Sequence, residues 1–222
     1  MKFIVPLTLI AVIVCVGFSG CGADGRIGSS SSAEENIDSN ASYAFGLATG
    51  NDLKSNNLFP NIDEFIKGIN DALGSSEPRY SVEEALGIIR ETFLEQRRLA
   101  ENKFLAENST KPGIIVTSSG LQYEVLSEGT GPKPTATDTV RVHYEGTFTD
   151  GNVFDSSHFR GQPAEFLLER VISGWTEGIQ LMSVGSKYRF FVPSDLGYGS
   201  EGMDRMPPYS TLIFEVELLD IL

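Results

Sequence analysis

The spacing of apolar positions changes character along the chain. Residues 3–16 form an apolar run behind Lys2, broken off by Gly17. From about 38 to 108 the spacing is helical. A first helix is predicted over roughly Ser42 to Leu58. In the second, Ile62, Phe65, Ile66, Ile69 and Leu73 share one face, Asn61 offers an N-cap with Glu64 three residues on, and Gly74 stands just past the end. Ser81-Val82-Glu83-Glu84 is another capping box, opening a longer helix with Val82, Leu86, Ile89 and Phe93 on its apolar stripe. Beyond Phe93 the charged residues Glu95, Arg97, Arg98, Glu101 and Lys103 dominate, the pattern of a connecting strut solvated on most sides. Lys111-Pro112-Gly113 breaks it.

After that breaker the period becomes two. Val140, Val142 and Tyr144 alternate with Arg141, His143 and Glu145. Tyr188, Phe190 and Val192 follow the same rule, as do Leu212, Phe214, Val216 and Leu218. Asp150-Gly151 is a hairpin signal, and one short helix is predicted from Gly174 to Met182. The fold class is therefore α+β: an all-helical segment, then an antiparallel sheet with one short helix covering a face. The predicted organisation is an address over 1–20, a flexible Ser- and Gly-rich tether over 21–37, a helical domain over 38–112 and a sheet domain over 113–222.

The address reads as a signal peptide, with a positive start, an apolar run and the small residues Ser19-Gly20 before Cys21. Phe18-Ser19-Gly20-Cys21 resembles a bacterial lipobox, in which the Cys becomes the first residue and is acylated. Lipidation at Cys21 and attachment to the cell envelope, on the periplasmic side or at the outer membrane, are expected. In the first helix Gly46 and Gly50 stand four apart beside Ala44 and Ala48. That spacing permits close approach of another backbone, either within the chain or from a second copy.

Composition narrows the chemistry. The 222 residues carry 17 Lys and Arg against 30 Asp and Glu, a net charge of −13, which repels phosphate backbones and argues against nucleic acid as a partner. Two Cys and two His leave little for a disulfide framework or a zinc site. Gly197-Tyr198-Gly199-Ser200-Glu201-Gly202 has the dinucleotide-binding spacing, but Pro207-Pro208 and another strand follow instead of a helix. A Ser-His-Asp hydrolase lacks its G-x-S-x-G elbow, and His143 falls on the polar side of its strand, as an exposed strand residue would. What is abundant is aromatic residues from separate elements: Tyr144, Phe154, Phe166, Trp175, Tyr198 and Phe214.

Val142-His143-Tyr144-Glu145-Gly146-Thr147, followed by Asp150 to Ser157, resembles the signature of FKBP-type peptidyl-prolyl cis/trans isomerases. Val171 to Gly178, Pro193 to Gly199 and Pro207 to Leu219 continue the likeness in family order, over about residues 113 to 222. Upstream, Ser42-Tyr43-Ala44-Phe45-Gly46 and the helical run are similar to the dimerisation segment of the macrophage infectivity potentiator subfamily of lipid-anchored or periplasmic isomerases.

The resemblance implies a folding factor that turns Xaa-Pro bonds in exported polypeptides, with no cofactor or metal, and a homodimer. Carried over by residue, Tyr144, Phe154, Val171, Ile172, Trp175 and Phe214 line a proline pocket with Trp175 as floor, and Met206 fills an apolar gap beside them. Tyr198 donates its hydroxyl to the carbonyl preceding the proline. Asp155 lies beside the rotating carbonyl and holds a neighbouring side chain. Macrolide inhibitors are implied as ligands of the same pocket. Ala164, where an aromatic often stands, and Asp204-Arg205-Met206 depart from the family pattern, and with them an altered preference for the residue before proline is expected. The competing expectation is a non-catalytic chaperone or host-contact lipoprotein that only grips apolar segments.

Overall fold

Four helices and seven strands make up the computed structural model, which describes residues 37–55, 58–75 and 77–222. The signal peptide, Cys21 and the tether as far as residue 36 lie outside the described residues. The chain forms two compact units, one up to Ser81 and one from Val82 onward.

The first unit holds α1 (Ser39–Ser55) and α2 (Ile62–Leu73). Asn61 caps α2 as its sequence predicts, its side chain accepting the Glu64 N–H at 3.1 Å, and the Gly74 N–H closes the other end on Asn70 O. Neither helix buries a residue. The stripe on α2 stays uncovered, from Ile62 at 58 % exposed to Leu73 at 83 %.

The second unit opens with α3 (Val82–Ser109), then β1 (Ile114–Val116), β2 (Gln122–Ser127), β3 (Thr139–Phe148), β4 (Val153–Ser156), β5 (Ala164–Leu167), α4 (Ser173–Leu181), β6 (Lys187–Val192) and β7 (Leu212–Ile221). The sheet is antiparallel with strand order β1-β2-β6-β7-β3-β4. β3 is long enough to take two partners on one edge, β5 along Thr139–Val142 and β4 along Glu145–Thr147, while β7 pairs its other edge. The hairpin at Asp150-Gly151 forms as expected, with Gly151 at φ +84°.

Alternation splits the two faces, with Phe191 an apolar exception on the outer one. Val140, Val142, Tyr144, Phe190, Val192, Phe214, Val216 and Leu218 point inward and are buried together under α4. The outward residues pair by charge across the strands: Arg189 reaches Glu215 at 2.6 Å and Glu124 at 2.9 Å, and Arg141 reaches Glu165 at 2.9 Å. α4 lies close to the sheet because Gly174 and Gly178 face it. A Cβ at either would come within 2.4 Å of Val192 Cγ1 or 2.7 Å of Phe190 Cε1.

The strut is not solvated along its whole length. The second half of α3 packs against the outer face of the sheet, where Phe104 and Phe191 meet at 6.2 Å between ring centres. There Asn108 donates to Gln122 Oε1, and Gln122 donates in turn to Leu105 O, both at 2.9 Å. Glu101, which the charge pattern assigns to solvent, is 9 % exposed. Because α3 packs with the sheet, the boundary between compact units precedes the change of period at Lys111-Pro112-Gly113.

Candidate active site

Trp175 sits in the first turn of α4 and is held by rings from three strands. Tyr144 of β3, Phe166 of β5 and Phe214 of β7 meet it nearly perpendicularly, with centres at 5.1, 5.3 and 5.2 Å. Edge-to-face rings of this kind add about 0.5–1.5 kcal/mol per pair beyond area burial. Phe154 of β4 extends the group, 5.5 Å from Phe214 and 4.9 Å from Phe148. Gly146 on β3 makes room for it, since a Cβ there would lie 2.6 Å from the Phe154 ring. Val171, Ile172, Tyr198 and Met206 pack against the same cluster, half-buried. Trp175 is 4 % exposed, and its indole N–H has no hydrogen-bond partner.

A polar triangle borders these rings. The Tyr144 hydroxyl donates to Asp155 Oδ2. Arg160 donates to Asp155 Oδ1 and, at 2.7 Å, to the Tyr144 hydroxyl oxygen, and Ser156 N–H adds a bond to Oδ1 at 2.8 Å. Partial burial on its own would raise the Asp155 pKa. The hydrogen bonds from Tyr144 and Arg160, with the guanidinium charge, outweigh it and hold the carboxyl below its ordinary value. Burial pushes the Tyr144 phenol upward, and the bond to Asp155 acts in the same direction.

Tyr198 comes from the long β6–β7 connection, on a loop whose shape is fixed by its glycines. Gly199 and Gly202 hold φ +68°, and a Cβ on Gly202 would fall 2.2 Å from Met206 O. Met203 and Met206 close a small antiparallel turn around Asp204 and the exposed Arg205. The glycine-rich run is thus an ordered turn, with no helix after it to receive a phosphate. Among the described residues no group of three His, Cys, Asp or Glu is arranged to hold a metal ion.

All the residues singled out by resemblance for the pocket (Tyr144, Phe154, Val171, Ile172, Trp175, Met206 and Phe214) belong to or pack on one cluster, and Tyr198 packs there too. Ala164 is half-buried against the same cluster. Arg160 escaped the sequence reading, and Phe166, counted there among the aromatics, was not assigned to the pocket. Phe166 follows Ala164 at a period of two on β5, a strand too short to announce itself. Arg160 stands in a turn where nothing but its proximity to Asp155 in sequence marks it. His143 also differs from expectation. It is half-buried, stacks on His158 at 4.6 Å and shares a 2.9 Å hydrogen bond with Ser157 Oγ. That hydroxyl is buried and already spans the Tyr144 N–H and C=O, so the pair braces β3 and presents no nucleophile.

Residues 131–219 match the family described as FKBP-type peptidyl-prolyl cis-trans isomerase, and residues 38–125 match the domain amino terminal to it. The chain is 44 % identical to the FKBP-type 22 kDa peptidyl-prolyl cis-trans isomerase of Escherichia coli (strain K12), across 85 % of this chain and 97 % of that protein. The chain belongs to the FKBP-type peptidyl-prolyl isomerase family. This FKBP-type isomerase is also 38 % identical to a protein named outer membrane protein MIP from Legionella longbeachae, over 81 % of this chain and 84 % of that one. The crystal structure of FkpA from Escherichia coli matches it with a TM-score of 0.56 and 31 % identity, covering 85 % of this chain and 98 % of that chain. Its activity is therefore peptidyl-prolyl cis/trans isomerisation, and the non-catalytic alternative gives way to it.

Proposed function

We propose that the FKBP-type site works by taking the proline ring of an extended polypeptide onto Trp175, between Tyr144, Phe154, Val171, Ile172, Met206 and Phe214. The convergence of three ring edges on one nearly buried indole carries this reading, because it makes an apolar floor with a polar rim. Rotation about the Xaa-Pro bond breaks no σ bond, so the obstacle is amide resonance, a barrier of roughly 18–20 kcal/mol. A twisted amide has less charge separation than a planar one and loses less on leaving water, so an apolar surface favours it. Lowering the barrier by about 7 kcal/mol corresponds to a rate gain of about 10⁵.

In this reading the Tyr198 hydroxyl donates to the carbonyl preceding the proline. Asp155 lies beside the rotating carbonyl and fixes the Tyr144 ring, while Arg160 keeps the carboxylate in place. Turnover of a short Xaa-Pro peptide tests it, with soluble protein that begins after Cys21. Replacing Asp155 and Tyr198 together lowers kcat/KM by about tenfold or more, equivalent to about 1.4 kcal/mol, with the fold intact. An unchanged rate would sink these roles.

The exposed apolar faces of α2 and the start of α3, including Ile62, Ile66, Leu73, Val82 and Leu86, support a homodimer built on the helical segment over 38–112. The leader and Cys21 support lipid attachment in the cell envelope, and the likeness to a protein named for the outer membrane agrees with that place. The clients are then proline-containing exported chains still unfolded, and macrolide inhibitors would compete for the same floor.

A further inference from the structure

We infer that Glu101, on the connecting helix α3, positions Tyr198 by holding both stems of the loop that carries it. The inference rests on the proposed role of Tyr198. Ser194 N–H donates to Glu101 Oε1 at 2.6 Å, and Ser194 Oγ–H donates to Oε2 at 2.8 Å. Thr211 Oγ1, at the other end of the loop, lies 3.4 Å from Oε1. Ser194 and Thr211 are each 3 % exposed, so water does not replace these bonds easily.

Ser194 passes the constraint on through its own carbonyl. That oxygen accepts the N–H groups of Gly197, at 2.9 Å, and Gly199, at 2.8 Å, the two neighbours of Tyr198 in sequence. Gly199 O in turn accepts the Tyr209 N–H at 3.1 Å, which ties the returning strand of the loop to the same turn. Every polar group of Ser194 is therefore committed, to Glu101 on one side and to the Tyr198 turn on the other. The hydrogen bonds of Glu101 go to Ser194 and Thr211, on the loop stems, so it acts on Tyr198 through this relay. A packing role would place an apolar residue at position 101, since burying a carboxyl group is unfavourable unless donors meet both of its oxygens. The arrangement gives the helical segment a direct mechanical hold on the site: a displacement of α3 shifts Ser194 and, through it, the Tyr198 hydroxyl.

The test is a double-mutant cycle on peptide isomerisation in the otherwise unaltered soluble protein, below the measured melting temperature of every variant. Glu101→Ala lowers kcat about tenfold with little change in KM, the signature of geometry lost at the transition state. Glu101→Gln, which can still accept from Ser194 N–H and bond its Oγ, recovers most of that loss. Because the effect runs through one hydroxyl, Glu101→Ala added to Tyr198→Phe lowers the rate by less than about twofold more. Should Glu101→Ala not fold, Ser194→Ala carries the same cycle, losing the Oγ bond and keeping the backbone one. A folded Glu101→Ala with the wild-type kcat, or losses that multiply in the double variant, overturns the inference. Tyr198→Phe at the wild-type rate would remove the Tyr198 reading and this one together, whereas an impaired Tyr198→Phe beside an unimpaired Glu101→Ala would remove this one alone.

Discussion

Gly178→Ala separates the close approach of α4 from the ordinary preference of helices for alanine. A methyl group at position 178 would sit 2.7, 2.9 and 3.1 Å from three carbons of the Phe190 ring. Carbon atoms rest about 3.5–4.0 Å apart, so either helix or ring must move by about 0.8 Å. Phe190 is fully buried, and the mutually stacked Tyr123 and Tyr188 rings lie against it at 6.5 and 6.1 Å, which limits how far it can swing. Overpacking of this kind costs about 1–3 kcal/mol, and the rigid ring puts it in the upper part of that range. Replacing a helical glycine returns about 1 kcal/mol, leaving a net loss of about 1–2 kcal/mol. For a domain of this size the melting temperature then falls by about 2–8 °C. The same shift moves Trp175, one turn away on α4, and kcat/KM drops by about tenfold, since about 1 Å of misplacement can cost up to 10²-fold. Gly87→Ala in α3 is the control: nothing lies within 4 Å of its Cβ, so it stabilises by up to about 1 kcal/mol. Urea midpoints and peptide turnover read both variants. Gly178→Ala as stable as Gly87→Ala, with wild-type turnover, would refute the reasoning.

Two further outcomes are expected. Asp155 has a folded-state pKa below its unfolded one, so as the pH falls the unfolded chain takes up the proton first, and the carboxylate's contribution is complete only above the unfolded value. The urea-midpoint gap between wild type and Asp155→Asn is accordingly widest near neutral pH and closes as the pH drops below the ordinary carboxylate value; a gap that widened in acid would contradict the Tyr144–Asp155–Arg160 triangle. On the proposed homodimer, Ile66→Glu puts a charge on the uncovered stripe of α2 and converts a wild-type dimer to a monomer by analytical ultracentrifugation, with peptide turnover unchanged. Retention of a dimer would move the interface elsewhere.

The elements with long, regular patterns were legible in the sequence. α2 shows its cap, its stripe and its closing glycine, and β3, β6 and β7 alternate because one face is buried and the other largely charged, Phe191 under α3 being the exception on β6. β1 and β5, at three and four residues, are too short for a period to emerge. β2, Gln122–Ser127, mixes polar and apolar residues on both faces because α3 covers part of its outer side, so Gln122 is buried where alternation alone gives no reason for it. Resemblance named Tyr144, Asp155, Trp175 and Tyr198 because their motifs are local. Arg160 and Phe166 depend on which strand lies beside which, and Glu101 is ninety-three positions from Ser194. A carboxylate that serves a distant loop carries no mark to distinguish it from its solvated neighbours on the same helix.

β7 is the last of the seven strands in chain order and lies in the middle of the sheet, between β6 and β3. Without it, β1-β2-β6 and the group around β3 share no strand pairing. A chain in which only the first six strands had paired would therefore hold two unjoined half-sheets, with Tyr144 and Trp175 present and Phe214 still missing. Its contacts are non-local by construction, which makes folding slow and late. The strand that joins the two halves of the sheet is thus also the one that carries the Phe214 ring of the floor.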